Sequence, residues 1–370
     1  MLKRLYVDNY RCLVNFEYAP RAYELLIGAN GTGKSSVFDV LKALCEFVKP
    51  QGFGLAVFPA NSLTRWQDNN RQTFELDVEL GELTVCYRLV IEHDPRRRGS
   101  KVVEESLRDQ AGPLFAFQDG EVALYRDDHS AGQSYPFDSS QSALAYQSER
   151  PDNTKLSGFR DWLQSVAVLR LNPFACDPES EREDLYFAVD GWNFPAWYRW
   201  LQLEQPQLLP LLWGELAEVM EGFASLNSQK SGEKHVLQMK VRSEGAGKEE
   251  LKFSWRELSE GQRVLVMLYA AVIAAKDAGW PVLCLDEPDN FVALREIQPW
   301  VHLVEELADG GKVQVLIASH HPELINSWGR GQAVVLSREL GGPTRLKPFE
   351  LPSDSKMPPS EIVAMGWEDE

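Results

Sequence analysis

The sequence predicts an α/β fold that carries an antiparallel β subdomain and a helical lobe, and three observations predict it. The stretch Gly28-Ala29-Asn30-Gly31-Thr32-Gly33-Lys34-Ser35 follows the apolar run Glu24-Leu25-Leu26-Ile27 and precedes a helical pattern over 36–48. Residues 74–80 and 83–92 alternate apolar and polar side chains with the period of half-buried antiparallel strands. Two late apolar runs, 281–285 and 313–318, lead into Asp286-Glu287 and His320-His321, as buried parallel strands do when they deliver side chains to the carboxyl end of a sheet.

The first stretch reads as a phosphate cradle. Glycines 28, 31 and 33 let the backbone turn its N–H groups toward an anion, Lys34 reaches the outer phosphates of a nucleotide, and the Ser35 hydroxyl suits Mg²⁺. The helix behind it adds the positive end of its dipole. Asn30, Gly31, Gly33, Lys34, Ser35 and Ser36 are therefore the candidate nucleotide-binding residues of this loop. The same spacing occurs in glycine-rich turns with a surface lysine, but the order strand, loop, helix favours the phosphate reading.

A chain of 370 residues has room for one large or two ordinary domains. Its five cysteines, Cys12, Cys45, Cys86, Cys176 and Cys284, are odd in number and lack CxxC spacing. They point to neither a disulfide framework nor a zinc site, and a reducing cytoplasm fits them. The N-terminus turns polar at Asp8, Asn9 and Arg11 before a signal-peptide core can form, and the longest apolar run, 264–275, is too short to cross a bilayer. A cytoplasmic protein without membrane contact is expected. The net charge of −17 repels polyanions, so any nucleic acid is met through local contacts. The one dense basic cluster, Arg96-Arg97-Arg98 with Lys101, is flanked by turn-forming residues and reads as a solvated hairpin tip ahead of a phosphate contact.

Taken in order, 2–7 and 13–18 read as strands, and with the run to Ile27 they make a meander that delivers the loop. Short strands continue to about Tyr125, and the polar stretch 126–157 reads as a long loop with a short helix at 142–146. Residues 159–164 read as helix and 166–171 as a strand closed by Asn172-Pro173. Trp192, Phe194, Trp197, Tyr198, Trp200 and Leu201 open a helical region that runs to Phe223, broken at Pro206 and Pro210. At helical spacing such a stripe reads as core before a base-stacking platform. Residues 236–242 and 251–255 form a hairpin around the turn 243–247, and neither a heptad array nor an internal repeat is present.

Leu258-Ser259-Glu260-Gly261-Gln262-Arg263 opens the apolar helix 264–275. Ser259 and Gly261 at its N-terminus offer a second anion site, while the same residues also make a well-capped buried helix. Asp286 suits Mg²⁺ directly or through a water, and Glu287 suits the polarisation of a water that attacks a γ-phosphate. A histidine at a strand end can donate to that phosphate. As a metal-ligand set the histidine pair lacks companions.

In this order the pieces resemble the ABC-type ATPases, specifically the heads of the SMC, RecF and overcoming-lysogenization-defect groups and their small bacterial AAA-family relatives. Walker A matches at 28–35, the signature at 258–262, Walker B at 282–287 and the switch-histidine strand at 318–322; Leu5-Tyr-Val-Asp-Asn-Tyr-Arg-Cys12 resembles the opening strand and turn of that group. Residues 50–250 match only in general character. The resemblance implies a P-loop NTPase, ABC ATPase-like, with a first ATPase lobe and β subdomain over 1–150 and a helical insertion with a hairpin over 151–257. A second ATPase lobe over 258–342 and a flexible tail over 343–370 complete it, the tail offering Ile362, Met365 and Trp367 to a partner.

The resemblance also implies ATP and Mg²⁺ as cofactors and a mechanism in which two heads face each other. Lys34 and Ser35 would bind nucleotide in cis, while Ser259, Gly261 and Gln262 of the second subunit would grip its γ-phosphate. Ser35 and Asp286 would hold the metal, Glu287 would be the general base, and His320, rather than His321, the switch histidine. ATP would then join a homodimer or a larger assembly, and hydrolysis would release it. Two departures stand out. The His-Pro pair common in the family after Walker B is replaced by Asp289-Asn-Phe-Val-Ala-Leu294, and the Q-loop glutamine falls only on Gln141 or Gln147.

Roughly fifty residues follow His320, so no nuclease domain is expected there. The expected function is an ATP-dependent switch or sensor in prokaryotic anti-phage defence or DNA maintenance, working with a separate effector such as a nuclease. A transporter's nucleotide-binding subunit is the alternative, disfavoured by the roughly two hundred residues between Walker A and signature. A scaffold with little turnover is disfavoured by Glu287 and His320.

Overall fold

A computed structural model describes residues 1–50, 52–94, 99–242, 250–351 and 357–366. The cluster Arg96-Arg97-Arg98, the turn 243–247 and Trp367 lie outside the described residues. The chain forms two compact units, Met1–Val166 with Trp328–Glu370, and Ala167–Ser327.

The first unit opens with β1 (Leu2–Asp8), β2 (Phe16–Tyr18), β3 (Tyr23–Ile27) and α1 (Lys34–Phe47). There follow β4 (Arg71–Leu80), β5 (Leu83–Asp94), β6 (Gly99–Asp109), β7 (Pro113–Gln118), β8 (Glu121–Tyr125), β9 (Ala131–Pro136) and α2 (Thr154–Gln164). Among the described residues an antiparallel sheet runs β2-β1-β4-β5-β6-β7-β8-β9. Its alternation is the expected one, with Phe74, Leu76 and Val78 of β4 fully buried. At β9 the structure departs from the reading of 126–157 as loop. Ala-Gly-Gln-Ser-Tyr-Pro has no apolar face, yet it pairs with β8 as an outer strand held by backbone hydrogen bonds. The helix expected at 142–146 is a single 3₁₀ turn, Leu144–Tyr146.

That turn is anchored by Glu105, a fully buried carboxylate on β6. Tyr87 Oη and Ser142 Oγ donate to it at 2.9 and 2.6 Å, and the Ala143 and Leu144 N–H groups at 2.8 and 3.3 Å. Burial raises its pKa above the ordinary 4.5, against the pull of those four donors. The folded carboxyl therefore holds its proton more tightly than the unfolded one, so stability falls as pH rises from about 4.5 through the folded value. Glu105→Ala is expected to lose about 2 to 3 kcal/mol in urea unfolding at neutral pH, because the buried donors lose their acceptor. It should also remove this acid-range slope from the pH profile of stability.

The second unit begins with β10 (Ala167–Leu169), β11 (Glu179–Ser180), α3 (Phe194–Glu204), α4 (Leu209–Val219), β12 (Phe223–Ser231), β13 (Lys234–Arg242) and β14 (Glu250–Ser254). It continues through α5 (Glu260–Ala274), β15 (Val282–Asp286), α6 (Leu294–Asp309), β16 (Gln314–Ala318) and α7 (Pro322–Trp328). β10, β15 and β16 are parallel neighbours, with Leu169 opposite Leu285 and Asp286 opposite Ala318. Every residue of β15 and β16 is buried, as strands covered on both faces must be. The aromatic stripe is core: Phe187 stacks on Trp197 at 4.4 Å, Phe194 on Trp255 at 5.1 Å and Trp197 on Trp280 at 5.9 Å. The helical region ends earlier than its apolar spacing suggests, since Phe223 opens β12, which pairs with β13.

The chain returns to the first unit as β17 (Ala333–Ser337), β18 (Arg345–Pro348) and α8 (Pro359–Ala364). β17 lies parallel to β3, and β18 antiparallel to β17. Residues 343–370, expected as a flexible tail, thus contribute a sheet strand and bury Ile362, while Met365 remains exposed. Among the described residues no helix is long and apolar enough to cross a membrane.

Candidate functional site

In the first unit the buried β3 hands the chain to the phosphate loop at Gly28. There φ is +140°, and a Cβ would stand 2.1 Å from the Leu336 carbonyl oxygen, so only glycine fits. Gly31 and Gly33 also have left-handed φ values, 82° and 107°. Lys34 is buried, and its Nζ donates to the carbonyls of Gly28 at 2.6 Å and Ala29 at 3.3 Å, which sets a positive charge inside the loop. Ser35 and Ser36 lie in the first turn of α1, and the Cys12 thiol lies 3.7 Å from Ser36 Oγ.

Two supports of this loop escaped sequence reasoning. Thr344 Oγ1 donates to the Thr32 carbonyl at 2.7 Å, and Arg338 Nη1 to the Gly31 carbonyl at 2.8 Å. Arg338 also donates to Gly341 and Gly342 carbonyls at 2.8 and 2.7 Å, and its guanidinium lies 5.0 Å over the Trp66 ring. The one sequence signal for them is the apolar run Ala333-Val-Val-Leu336 just upstream, which marks a strand available to neighbour β3.

In the second unit Ser259 caps α5. Its Oγ accepts the Gln262 N–H at 3.2 Å, and Gln262 Oε1 accepts the Ser259 N–H at 3.0 Å, a reciprocal capping box. Gly261, in the first turn, meets the segment that follows Glu287: the Phe291 carbonyl oxygen lies 2.6 Å from where a Cβ would be. Phe291 has a left-handed φ of 75° and is 51% exposed. It packs edge-on against Phe174, 66% exposed, with ring centroids 5.8 Å apart.

Asp286 ends β15 at 3% exposure. Because Leu169 is opposite Leu285, the next residue, Arg170, comes level with Asp286. Arg170 Nε donates to Asp286 Oδ2 at 2.7 Å, and Nη2 contacts the same oxygen. Glu287 has a left-handed φ of 49°; its N–H donates to the Ala318 carbonyl at 2.8 Å, and Asn290 Nδ2 donates to its Oε2 at 2.9 Å. Strained backbone of this kind gathers at functional positions. Ser319 Oγ donates to Asp289 and accepts the His321 N–H at 2.8 Å. His321 Nδ1 accepts the Glu323 N–H at 3.2 Å, so this ring is engaged at the start of α7, and His320 is the exposed member of the pair.

Of the two glutamines considered for the Q-loop, Gln147 is buried in the first unit, its amide donating to Tyr135 Oη and the Ala143 carbonyl at 2.7 and 2.6 Å. Gln141 lies in the turn ahead of Leu144–Tyr146. The residue that reaches Asp286 from the loop just after the neighbouring strand β10 is an arginine, Arg170. Among the described residues no group of three or more His, Cys, Asp or Glu side chains is placed to hold a metal alone.

Residues 94–326 match a family model described as "AAA domain, putative AbiEii toxin, Type IV TA system". That stretch contains Ser259, Asp286, Glu287 and His320, while the phosphate loop lies before it. The fold is similar to an SMC head bound to the C-winged helix domain of ScpA, with a TM-score of 0.58 and 12% identity over 94% of this chain and 97% of the other. It is also similar to an Smc head domain with an extended coiled coil, bound to the C-terminal domain of ScpA derived from Pyrococcus furiosus. There the TM-score is 0.54 at 11% identity, over 100% of this chain and 98% of the other. No curated protein sequence matches. The fold is thus α/β, that of a P-loop NTPase of the ABC ATPase-like, SMC-head kind, with an antiparallel β subdomain. The chain belongs to the AAA-domain family described as putative AbiEii toxins of Type IV TA systems.

Proposed function

We propose that this protein is an ATP-hydrolysing switch that dimerises around ATP and acts in prokaryotic anti-phage defence or DNA maintenance through a separate effector protein. The observation that carries the reading is that one chain holds both a glycine-walled loop with a buried lysine and a separately capped helix end at Ser259 and Gly261. A toxin–antitoxin family name supports a two-component system. The two SMC heads, each bound to a domain of another protein, support an effector held on the head.

The loop fits a nucleotide. Gly28, Gly31 and Gly33 give its backbone the left-handed turns a phosphate cradle needs, and a buried ammonium stands in it. The oxygen donors, the Ser35 hydroxyl and the Asp286 carboxylate, suit Mg²⁺, which takes few protein ligands beside phosphate and water. When bound, the ion supplies charge neutralisation on the phosphates. Asn30, Gly31, Gly33, Lys34, Ser35 and Ser36 hold the nucleotide in this reading. Glu287 takes the proton of the attacking water, with Asn290 orienting its carboxylate, and His320 donates to the terminal phosphate. Ser259, Gly261 and Gln262 of a second copy close over the same phosphate, so loss of that group frees the partner.

Light scattering tests this. Mg-ATP is expected to double the mass, and Ser259→Arg to leave the protein at the mass of one chain while it binds ATP with the parent's affinity. A parent that keeps the mass of one chain with and without ATP would refute the dimer.

A further inference from the structure

Within the second unit, the short loop after β10 touches both chemically distinct parts of that unit. Its first residue, Arg170, 50% exposed along its side chain, holds the buried Asp286 carboxylate through Nε and Nη2. Two residues on, Asn172 Oδ1 accepts the Phe174 N–H at 3.0 Å and fixes the turn. Arg263, one turn into α5, donates Nη1 to the Pro173 carbonyl at 2.9 Å. Phe174 then packs on Phe291, whose carbonyl lies against Gly261. A continuous set of contacts thus joins the end of β15 to the capped end of α5, and both its ends are polar.

We propose that Arg170 is a counter-ion latch on Asp286 and that the loop 170–174 relays its release to the helix end bearing Ser259 and Gly261. This rests on the nucleotide and metal reading of the preceding section. Both N–H groups of the guanidinium fall on Asp286 Oδ2, so a hard cation that takes this oxygen competes with Arg170 for it, and two cations on one carboxylate repel each other. A cation on Oδ2 therefore displaces Arg170 wholly or in part. Half-exposed, it has water to move into, whereas Asp286 has none. Release frees the loop's first anchor, and the Phe174–Phe291 contact and the Arg263 hydrogen bond carry the change to α5. This is coupling through packed side chains with two arrangements, the form in which distant sites influence one another.

The relay makes Arg170 a positioning residue that opposes metal loading. The test is the ratio of ATP affinity in Mg²⁺ to that in EDTA, measured by fluorescence of a labelled ATP analogue on the full chain. Arg170→Ala is expected to raise that ratio about tenfold over the parent, the size of an ordinary coupling between sites. Arg170→Lys, which keeps the charge without the fork, should fall between. Phe174→Ala should keep the parent's ratio but need several-fold more Mg-ATP to reach the dimer's mass. A ratio that Arg170→Ala leaves unchanged or lowers would overturn the latch alone. A parent that binds no analogue in either buffer would overturn the nucleotide reading beneath it. Because Arg170→Ala leaves a buried carboxylate without this partner, the ratio in Arg170→Lys decides the matter if the alanine variant does not fold.

Discussion

Glu287→Gln is expected to cut ATP hydrolysis by about a thousandfold while leaving ATP affinity within a factor of about two, since loss of a positioned general base costs between 10² and 10⁴ in rate. The amide keeps the size of the side chain and the contact with Asn290 Nδ2 through its carbonyl oxygen. It cannot take a proton. Because the release step is then blocked, the same variant should stay at the dimer's mass after Mg-ATP is diluted for longer than the parent does. Phosphate release and light scattering on one preparation read both effects. Hydrolysis at the parent's rate would remove Glu287 from the chemistry, and slow hydrolysis without a longer-lived dimer would separate turnover from assembly.

Gly28→Ala is expected to lose about 3 to 5 kcal/mol of stability, or to leave a folded protein with ATP affinity down by a factor of about 100. The methyl would overlap the Leu336 carbonyl oxygen of β17, a backbone atom in a paired strand, and φ of +140° is closed to side chains. Gly31→Ala is the control. Nothing stands within 4 Å of its added methyl, so it meets only the cost of a left-handed backbone, about 1 to 2 kcal/mol. Thermal unfolding of the two variants should rank them in that order. Equal losses would show that the wall formed by β17 yields.

The parts of this molecule legible in its sequence are those whose pattern is local. β3, the loop and α1 follow one another without interruption, α5 is apolar from 264 onward, and β15 and β16 are apolar runs of strand length. The box at Ser259 and Gln262 is a three-residue spacing and is equally visible. β9 and β12 were not legible, because Ala-Gly-Gln-Ser-Tyr-Pro and Phe-Ala-Ser-Leu-Asn-Ser-Gln-Lys-Ser owe their extension to the strands beside them and carry little apolar signal. The same holds for the site's supports. Arg170 becomes informative only once β10 is known to lie in register with β15, and Arg338 and Thr344 only once β17 is known to flank β3. Asp289 and Asn290 bond to Ser319 and Glu287, local tasks that no spacing reveals.

Arg338 and Thr344 reach the loop from 307 and 312 positions away in the chain. Contacts of such separation close late, because the entropy of a long loop must be overcome before they form. On the ribosome, the 28–35 motif therefore emerges about three hundred residues ahead of its walls at Leu336, Arg338 and Thr344. Throughout that interval a nascent chain displays the motif without the scaffold that shapes it. A polypeptide interrupted before residue 338 would carry the motif without these supports.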